Sequence, residues 1–178
     1  MFKKSLITLA LVMVSVSGAQ AASGTASQGG GKVTFKGSII SAPCSINPAS
    51  IDQTVSLGMV SDVALANGGT SIPQPFDIKL TGCSISTAKT VSTTFTGAAD
   101  PDSANKAGLG VTGTAKGAAI ILTDGASKQI TLGTATSAQT IQNGNNTLQF
   151  SAYLQGNTGK TIVPGDFQGV TDFTLSYQ

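Results

Sequence analysis

The chain has 178 residues and contains ten Lys and eight Asp, with no His, Glu, Arg or Trp. Without His it can build no Ser-His-Asp triad, no imidazole base and no His-based zinc site. The sequence also has no basic patch and no Arg, the features that would favour binding to nucleic acid. The closest carboxylates, Asp100 and Asp102, flank Pro101 in a pattern typical of a turn. We therefore expect no enzyme activity, no catalytic residues, no cofactor, no metal and no nucleic-acid partner.

The first 21 residues have the organisation of a secretory signal peptide. Lys3 and Lys4 give a positive start, Leu6–Val16 is a short apolar run, and Ala19-Gln20-Ala21 supplies the small residues that a signal peptidase requires. Cleavage after Ala21 leaves about 157 residues, enough for one domain. That remainder has eight Lys and eight Asp and hence no net charge, which is tolerable in a protein that self-associates.

After the signal peptide, the pattern predicts a flexible arm followed by short β-strands. Residues 22–31 are small, polar and rich in Gly, whereas each later stretch is rich in Val, Ile, Thr, Phe or Tyr and is bounded by turn-forming residues. The predicted strands are 32–36 leading into 37–41, then 51–57, 76–80, 90–96, 118–122, 129–132, 148–154 and 172–177. One or two helical turns are predicted within 57–66, with Asn67-Gly68-Gly69 as the stop. Seven or eight short strands at this spacing favour one all-β sandwich of immunoglobulin-like size.

The two cysteines, Cys44 and Cys83, both lie in the part of the chain that follows the signal peptide. An even pair in an oxidising compartment favours one disulfide over two free buried thiols. Closing a loop of this length would stabilise the fold by roughly 4 kcal/mol through the entropy of the unfolded chain.

The C-terminal residues form an unusually regular strand pattern for a chain end. Phe173, Leu175 and Tyr177 alternate with polar residues, so they are expected to share one face. Chain ends usually fray unless something ties them down. The pattern therefore predicts a strand that is paired or covered by something outside the remaining sequence, although a core strand completed by an earlier segment is the alternative.

These features together resemble the major subunits (pilins) of chaperone–usher bacterial fimbriae, in particular the shaft subunits of the P-pilus and type 1 kind. The resemblance covers the whole chain after the signal peptide. It is carried by Gly31–Gly37, by Ala42-Pro43-Cys44-Ser45-Ile46, by Gly165 at the fourteenth position from the C-terminus and by the penultimate Tyr177. It implies an incomplete immunoglobulin-like β-sandwich (residues 37–178) that lacks its last strand and is completed by donor-strand exchange, preceded by an N-terminal donor-strand arm (residues 22–36).

The resemblance also implies which residues act in assembly. The C-terminal strand would form one wall of a groove that binds the chaperone and later the donor strand, and its residues would be Gly165, Phe173, Leu175 and Tyr177. The donor strand would present Gly29, Gly31, Val33 and Phe35 to a neighbour's groove. The run Gly29-Gly30-Gly31 leaves the register of the arm in the groove undetermined by one residue. Because a slip by one residue turns every side chain of a strand to the other face, the arrangement with the opposite face of the arm in the groove remains an alternative.

The function implied is that of a structural subunit that polymerises head to tail into the pilus shaft and so supports bacterial adhesion. The expected partners are other copies of the chain, a periplasmic pilus chaperone, an outer-membrane usher and minor fimbrial subunits. The expected route runs through the periplasm to the cell-surface fimbria. Two alternatives are a minor or adaptor fimbrial subunit and a secreted β-sandwich module that binds a ligand by itself.

Overall fold

The computed structural model describes residues 29–86 and 88–178, apart from the side chain of Asn105. The predicted signal peptide (1–21) and residues 22–28 of the predicted arm lie outside the described residues. The chain divides between Ile39 and Ile40 into two units. In the first unit, residues 29–39 contain no helix or strand, so the expected strand at 32–36 is not present. A strand requires a partner for its N–H and C=O groups, and a favourable side-chain pattern does not replace that partner.

The described part of the second unit, residues 40–86 and 88–178, is built from antiparallel strands. A four-residue helix and three single 3₁₀ turns lie between them. The strands are β1 (Ser45–Ile46), β2 (Gln74–Cys83), β3 (Thr90–Gly97), β4 (Thr112–Gly113), β5 (Ala118–Asp124), β6 (Gln139–Thr140), β7 (Gly144–Gly156), β8 (Phe167–Gln168) and β9 (Thr171–Tyr177). The helix is α1 (Asp62–Leu65), and the 3₁₀ turns are Pro48–Ser50, Ala66–Gly68 and Ala104–Lys106. None of the helices in this part of the chain is long and apolar enough to cross a membrane.

The order of the strands is that of an immunoglobulin-like sandwich with one strand missing. One sheet has the order β1-β2-β7-β5 and the other the order β6-β3-β9, while β4 and β8 form a separate ribbon. In chain order, β1, β2, β7 and β5 correspond to strands A, B, E and D of one sheet of the immunoglobulin constant-type fold, and β3 and β9 correspond to its C-F pair. Strand G of that fold would pair with β9, and no strand of the described chain occupies that position. The predicted fold class is therefore confirmed.

The core lies between the two sheets and is centred on three phenylalanines. Phe150 of β7 contacts Phe95 of β3 with ring centroids 5.1 Å apart, and Phe76 of β2 with centroids 5.5 Å apart. Around them, β5 contributes an unbroken run of buried residues from Ala118 to Thr123. The alternation in β7 works as the sequence predicts, because its inward-facing side chains are almost completely buried: Leu148, Phe150, Ala152 and Leu154.

The disulfide joins Cys44, directly before β1, to Cys83 at the end of β2. Both cysteines are buried, and their Cα atoms are 4.1 Å apart. The bond links the two strands at one edge of the larger sheet, where β1 has only two residues of pairing with β2. It therefore secures an edge that backbone hydrogen bonds alone hold weakly.

Besides the stretch 32–41, two further predicted strands are not present, and the helical prediction is correct only in part. Residues 51–57 and 129–132 form no strand, although Gln129 makes an isolated bridge to Thr123. The 129–132 stretch follows a tight turn in which Asp124 accepts hydrogen bonds from Ala126 and Lys128. Its pairing with β5 extends only to Ile130, whose N–H donates a 2.9 Å hydrogen bond to the Leu122 carbonyl. The helix is shorter than the predicted stretch, and Asn67 and Gly68 do end it, with positive φ angles of 56° and 84°.

Candidate functional site: an open groove beside the C-terminal strand

Strand β9 is paired along one side and has an open edge along the other. It pairs with β3 over seven residues, and no other strand of the described chain pairs with it. At its end, Gln178 and Thr90 exchange two backbone hydrogen bonds, of 3.0 and 2.9 Å. Along an antiparallel pair, alternate residues direct their N–H and C=O groups towards the partner strand and away from it. Because Gln178 points towards β3, the N–H and C=O groups of Phe173, Leu175 and Tyr177 point to the open edge.

The side chains of β9 alternate as the sequence pattern predicts. Phe173, Leu175 and Tyr177 are half-buried against the core, whereas Thr174 and Ser176 between them are exposed. None of the three inward-facing side chains reaches the near-complete burial of those in β7, because one side of each still faces the open edge. Partial burial also raises the pKa of the Tyr177 hydroxyl above its ordinary value, since desolvation disfavours the phenolate.

A cavity of about 830 Å³ lies beside the first half of β9, where Thr171, Asp172 and Phe173 line it. Its floor is formed by apolar side chains from both sheets. The same side chains belong to the core of the sandwich or pack against it. These floor residues are Phe76, Ile78, Phe95, Ile120, Leu122, Ala152, Leu154 and Phe173. A packed core leaves few voids larger than a water molecule, so a cavity of this size marks the position of a missing element.

Residues 52–60 line the same cavity opposite β9. Val55 and Leu57 are half-buried and Ser56 between them is exposed, so this segment alternates like a strand. No backbone–backbone hydrogen bond joins residues 52–60 to any residue that the structure describes. The groove therefore has unpaired backbone groups on both of its walls, and an extended chain inserted between them could pair with either wall.

Gly165 belongs to the lining of the groove and has a steric role there. A Cβ atom at this position would overlap the side chain of Thr114 and lie 2.7 Å from the backbone nitrogen of Ala115. Asp166, the residue after Gly165, maintains this close approach through two hydrogen bonds to Thr114. The Thr114 N–H donates one of 3.0 Å to the Asp166 carbonyl, and the Thr114 hydroxyl accepts one of 3.0 Å from the Asp166 N–H. Glycine is needed here for this contact between loops.

Of the four predicted groove residues, Gly165 and Phe173 line the cavity, whereas Leu175 and Tyr177 lie farther along β9, outside its lining. The four predicted donor-strand residues belong to the first unit and are exposed there: Gly29, Gly31, Val33 and Phe35. For the two large ones the exposed fraction is 74% at Val33 and 89% at Phe35. Large apolar side chains this exposed are available for burial against another molecule.

Sequence reasoning missed the wall opposite β9. The period of two in residues 51–57 predicted a strand, but an isolated pattern does not reveal that the segment lacks a neighbour. It also missed Gly169, which lines the groove where a Cβ atom would lie 2.6 Å from the end of the Ile120 side chain. A glycine that lines a groove carries no distinctive sequence signal.

The fold and the groove define an incomplete immunoglobulin-like domain of the kind that accepts an added β-strand. A family model described as "Fimbrial protein" matches residues 33–178, and the chain belongs to this family.

The similarity to individual proteins extends over most of the chain. It is 57% identical over 177 residues to the Fimbria A protein of Serratia marcescens, which covers 99% of both chains. Among solved structures it is similar to a chaperone–usher pilus, with a TM-score of 0.75 and 33% identity over 85% of this chain and 97% of that one. It is also similar to the P pilus rod subunit PapA, with a TM-score of 0.68 and 32% identity over 77% of this chain and 100% of that one.

Proposed function

We propose that this chain is a structural subunit of a chaperone–usher fimbria, which polymerises head to tail into the pilus shaft by lending its arm to the groove of the next copy. The observation that carries the proposal is the open edge of β9 beside an apolar groove of about 830 Å³, in a member of the fimbrial protein family. The arm that is donated and the groove that accepts it belong to different parts of each copy. Such a contact is heterologous and extends into an open helical filament.

Strand addition would satisfy both the backbone and the apolar surface of the groove. β9 has seven residues and spans about 24 Å, which the seven residues 29–35 would match in extended form. In the proposed facing, Val33 and Phe35 enter the groove. Fully burying each side chain contributes about 1.5–3 kcal/mol, and the backbone of the arm pairs with the open edge of β9.

Before a second copy arrives, the open edge would expose both unpaired backbone and apolar side chains, a combination that favours aggregation. We therefore propose that a periplasmic chaperone first covers the groove and that exchange for the arm takes place at an outer-membrane usher. In this scheme residues 1–21 direct export, residues 22–36 form the arm, and residues 37–178 form the sandwich that reaches the cell surface.

A pair of neighbouring substitutions in β9 tests the groove. Leu175→Asp places a carboxylate on the half-buried face, whereas Thr174→Asp adds the same charge on the exposed face. We expect Leu175→Asp to abolish heat-resistant multimers on gels and fibres in electron micrographs, and Thr174→Asp to retain both. Normal fibres from Leu175→Asp would contradict the proposal.

Since Leu175→Asp could also impair folding, a second variant changes only the arm. Phe35 is 89% exposed, so Phe35→Asp should leave the stability of the chain unchanged while removing its ability to donate. Mixing Phe35→Asp, which keeps an intact groove, with Leu175→Asp, which keeps an intact arm, should give one-to-one dimers and nothing longer. A stable monomer that binds a ligand after deletion of residues 22–35 would instead favour an independent binding module.

A further inference from the structure

The groove has an acidic rim. Its lining includes four aspartates and one lysine, and all five side chains are exposed to solvent. The four aspartates, defined here as the acidic rim, are Asp52, Asp62, Asp166 and Asp172, and the lysine is Lys116. The rim therefore surrounds an apolar groove with a net charge close to −3, given four carboxylates and one ammonium group.

This concentration of charge is specific to the groove. Residues 37–178 contain eight Asp and six Lys, of which the groove lining takes half of the Asp and one Lys. The rest of that surface consequently has one more Lys than Asp. Within the described ranges the single ion pair joins Lys160 to Asp102, which lies outside the groove, so no salt bridge neutralises the acidic rim.

The arm has the opposite charge. Residues 22–36 contain Lys32 and Lys36 and no acidic residue. Because side chains alternate along an extended chain, Lys32 and Lys36 lie on the face opposite to Val33 and Phe35. An arm that buries Val33 and Phe35 would therefore direct both ammonium groups outward, towards the rim.

We infer that the acidic rim selects the lysine-bearing arm of a second copy, speeding its entry into the groove and setting its register. This inference rests on the proposed function, to which it adds the negative charge of the rim as the feature that recognises the arm. Opposite charges around a binding site increase the rate of association and disfavour partners of the wrong charge. The lysines act on register as well, since a slip by one residue would turn Lys32 and Lys36 into the apolar groove, where an unpaired charge is costly.

The test measures how fast a labelled peptide of residues 22–36 binds to the full chain from Ala22 to Gln178, refolded and kept monomeric at nanomolar concentration. The peptide is acetylated and amidated so that its terminal charges are absent. The control, called the neutral peptide, is the same peptide with Lys32→Gln and Lys36→Gln. Association is followed by fluorescence anisotropy at NaCl concentrations from about 50 to about 500 mM, a range over which screening becomes strong.

We expect the association rate of the native peptide to fall about tenfold over this range, and that of the neutral peptide to change less than about twofold. On the side of the groove, Asp172→Asn should lower the native rate about two- to threefold at low salt. Asp77→Asn removes the same charge from a residue that does not line the groove, and it should leave the rate unchanged.

The outcomes separate the two proposals. If both peptides bind with the same dependence on salt, or if Asp77→Asn slows binding as much as Asp172→Asn, the role of the rim is refuted while strand addition stands. If neither peptide binds at any salt concentration, strand addition itself fails, and the inference about the rim fails with it.

Discussion

Strand β7 lies between two neighbours, β2 and β5, whereas β9 has β3 on one side and an open edge on the other. Both strands place an apolar residue at every second position. In β7 the inward-facing side chains retain 5% of their exposure or less, as at Phe150 with 2%. In β9 the equivalent side chains, Phe173 among them, are only half-buried.

The contrast shows that facing and burial have different causes. Alternation in a strand decides which side chains face inward, whereas the neighbouring strands and the loops above them decide how far those side chains leave solvent. Phe173 and Phe95 have ring centroids 6.4 Å apart, against 5.1 Å for Phe150 and Phe95, so the edge strand is less closely packed against the same ring. The surface left uncovered on β9 is the surface that an added strand would bury.

The largest effect is expected in β7. Phe150→Ala would leave a cavity among three packed rings and should lower the free energy of unfolding by about 3–5 kcal/mol, measured by urea denaturation of the full chain from Ala22 to Gln178. The matched control, Gln149→Ala, changes an exposed neighbour in the same strand and should alter stability by less than about 0.5 kcal/mol. Equal effects from the two variants would mean that β7 is not the centre of the core.

A smaller effect is expected for the same substitution in β9. Phe173→Ala removes a side chain that is only half-buried, so the isolated chain should lose about 1–2 kcal/mol. The same variant should weaken binding of the 22–36 peptide, because the groove wall that the peptide contacts is then incomplete. If Phe173→Ala destabilised the isolated chain as much as Phe150→Ala, the groove would be closed in solution and the contrast between the strands would disappear.

The smallest effect concerns Tyr177 and alkaline pH. Burial raises the pKa of its hydroxyl in the folded chain, so the folded state holds this proton more tightly than the unfolded state does. The associated stability is complete below the unfolded pKa of about 10 and should be lost as the pH rises through the folded pKa. Urea midpoints measured from about pH 9 upward should show a decline that Tyr177→Phe reduces, and an unchanged decline in Tyr177→Phe would contradict this role of the hydroxyl.

Much of this architecture could be predicted because strong local patterns and strand pairing agree. The stretches 118–122, 148–154 and 172–177 all form strands, and Cys44 pairs with Cys83. The prediction failed where a pattern lacked a partner, as in residues 32–36 and 51–57. It also overlooked the two-residue strands, such as β4 and β8, because so short a pairing has no periodicity to detect.

The candidate site divides in the same way. Alternation in the sequence is sufficient to place Phe173, Leu175 and Tyr177 on one face, because the side-chain period of an extended chain is a local property. It could not show that residues 52–60 form the opposite wall, or that half of the aspartates gather around the opening between them. Those features depend on which distant segments meet, and only the packing of two sheets with one strand absent decides that.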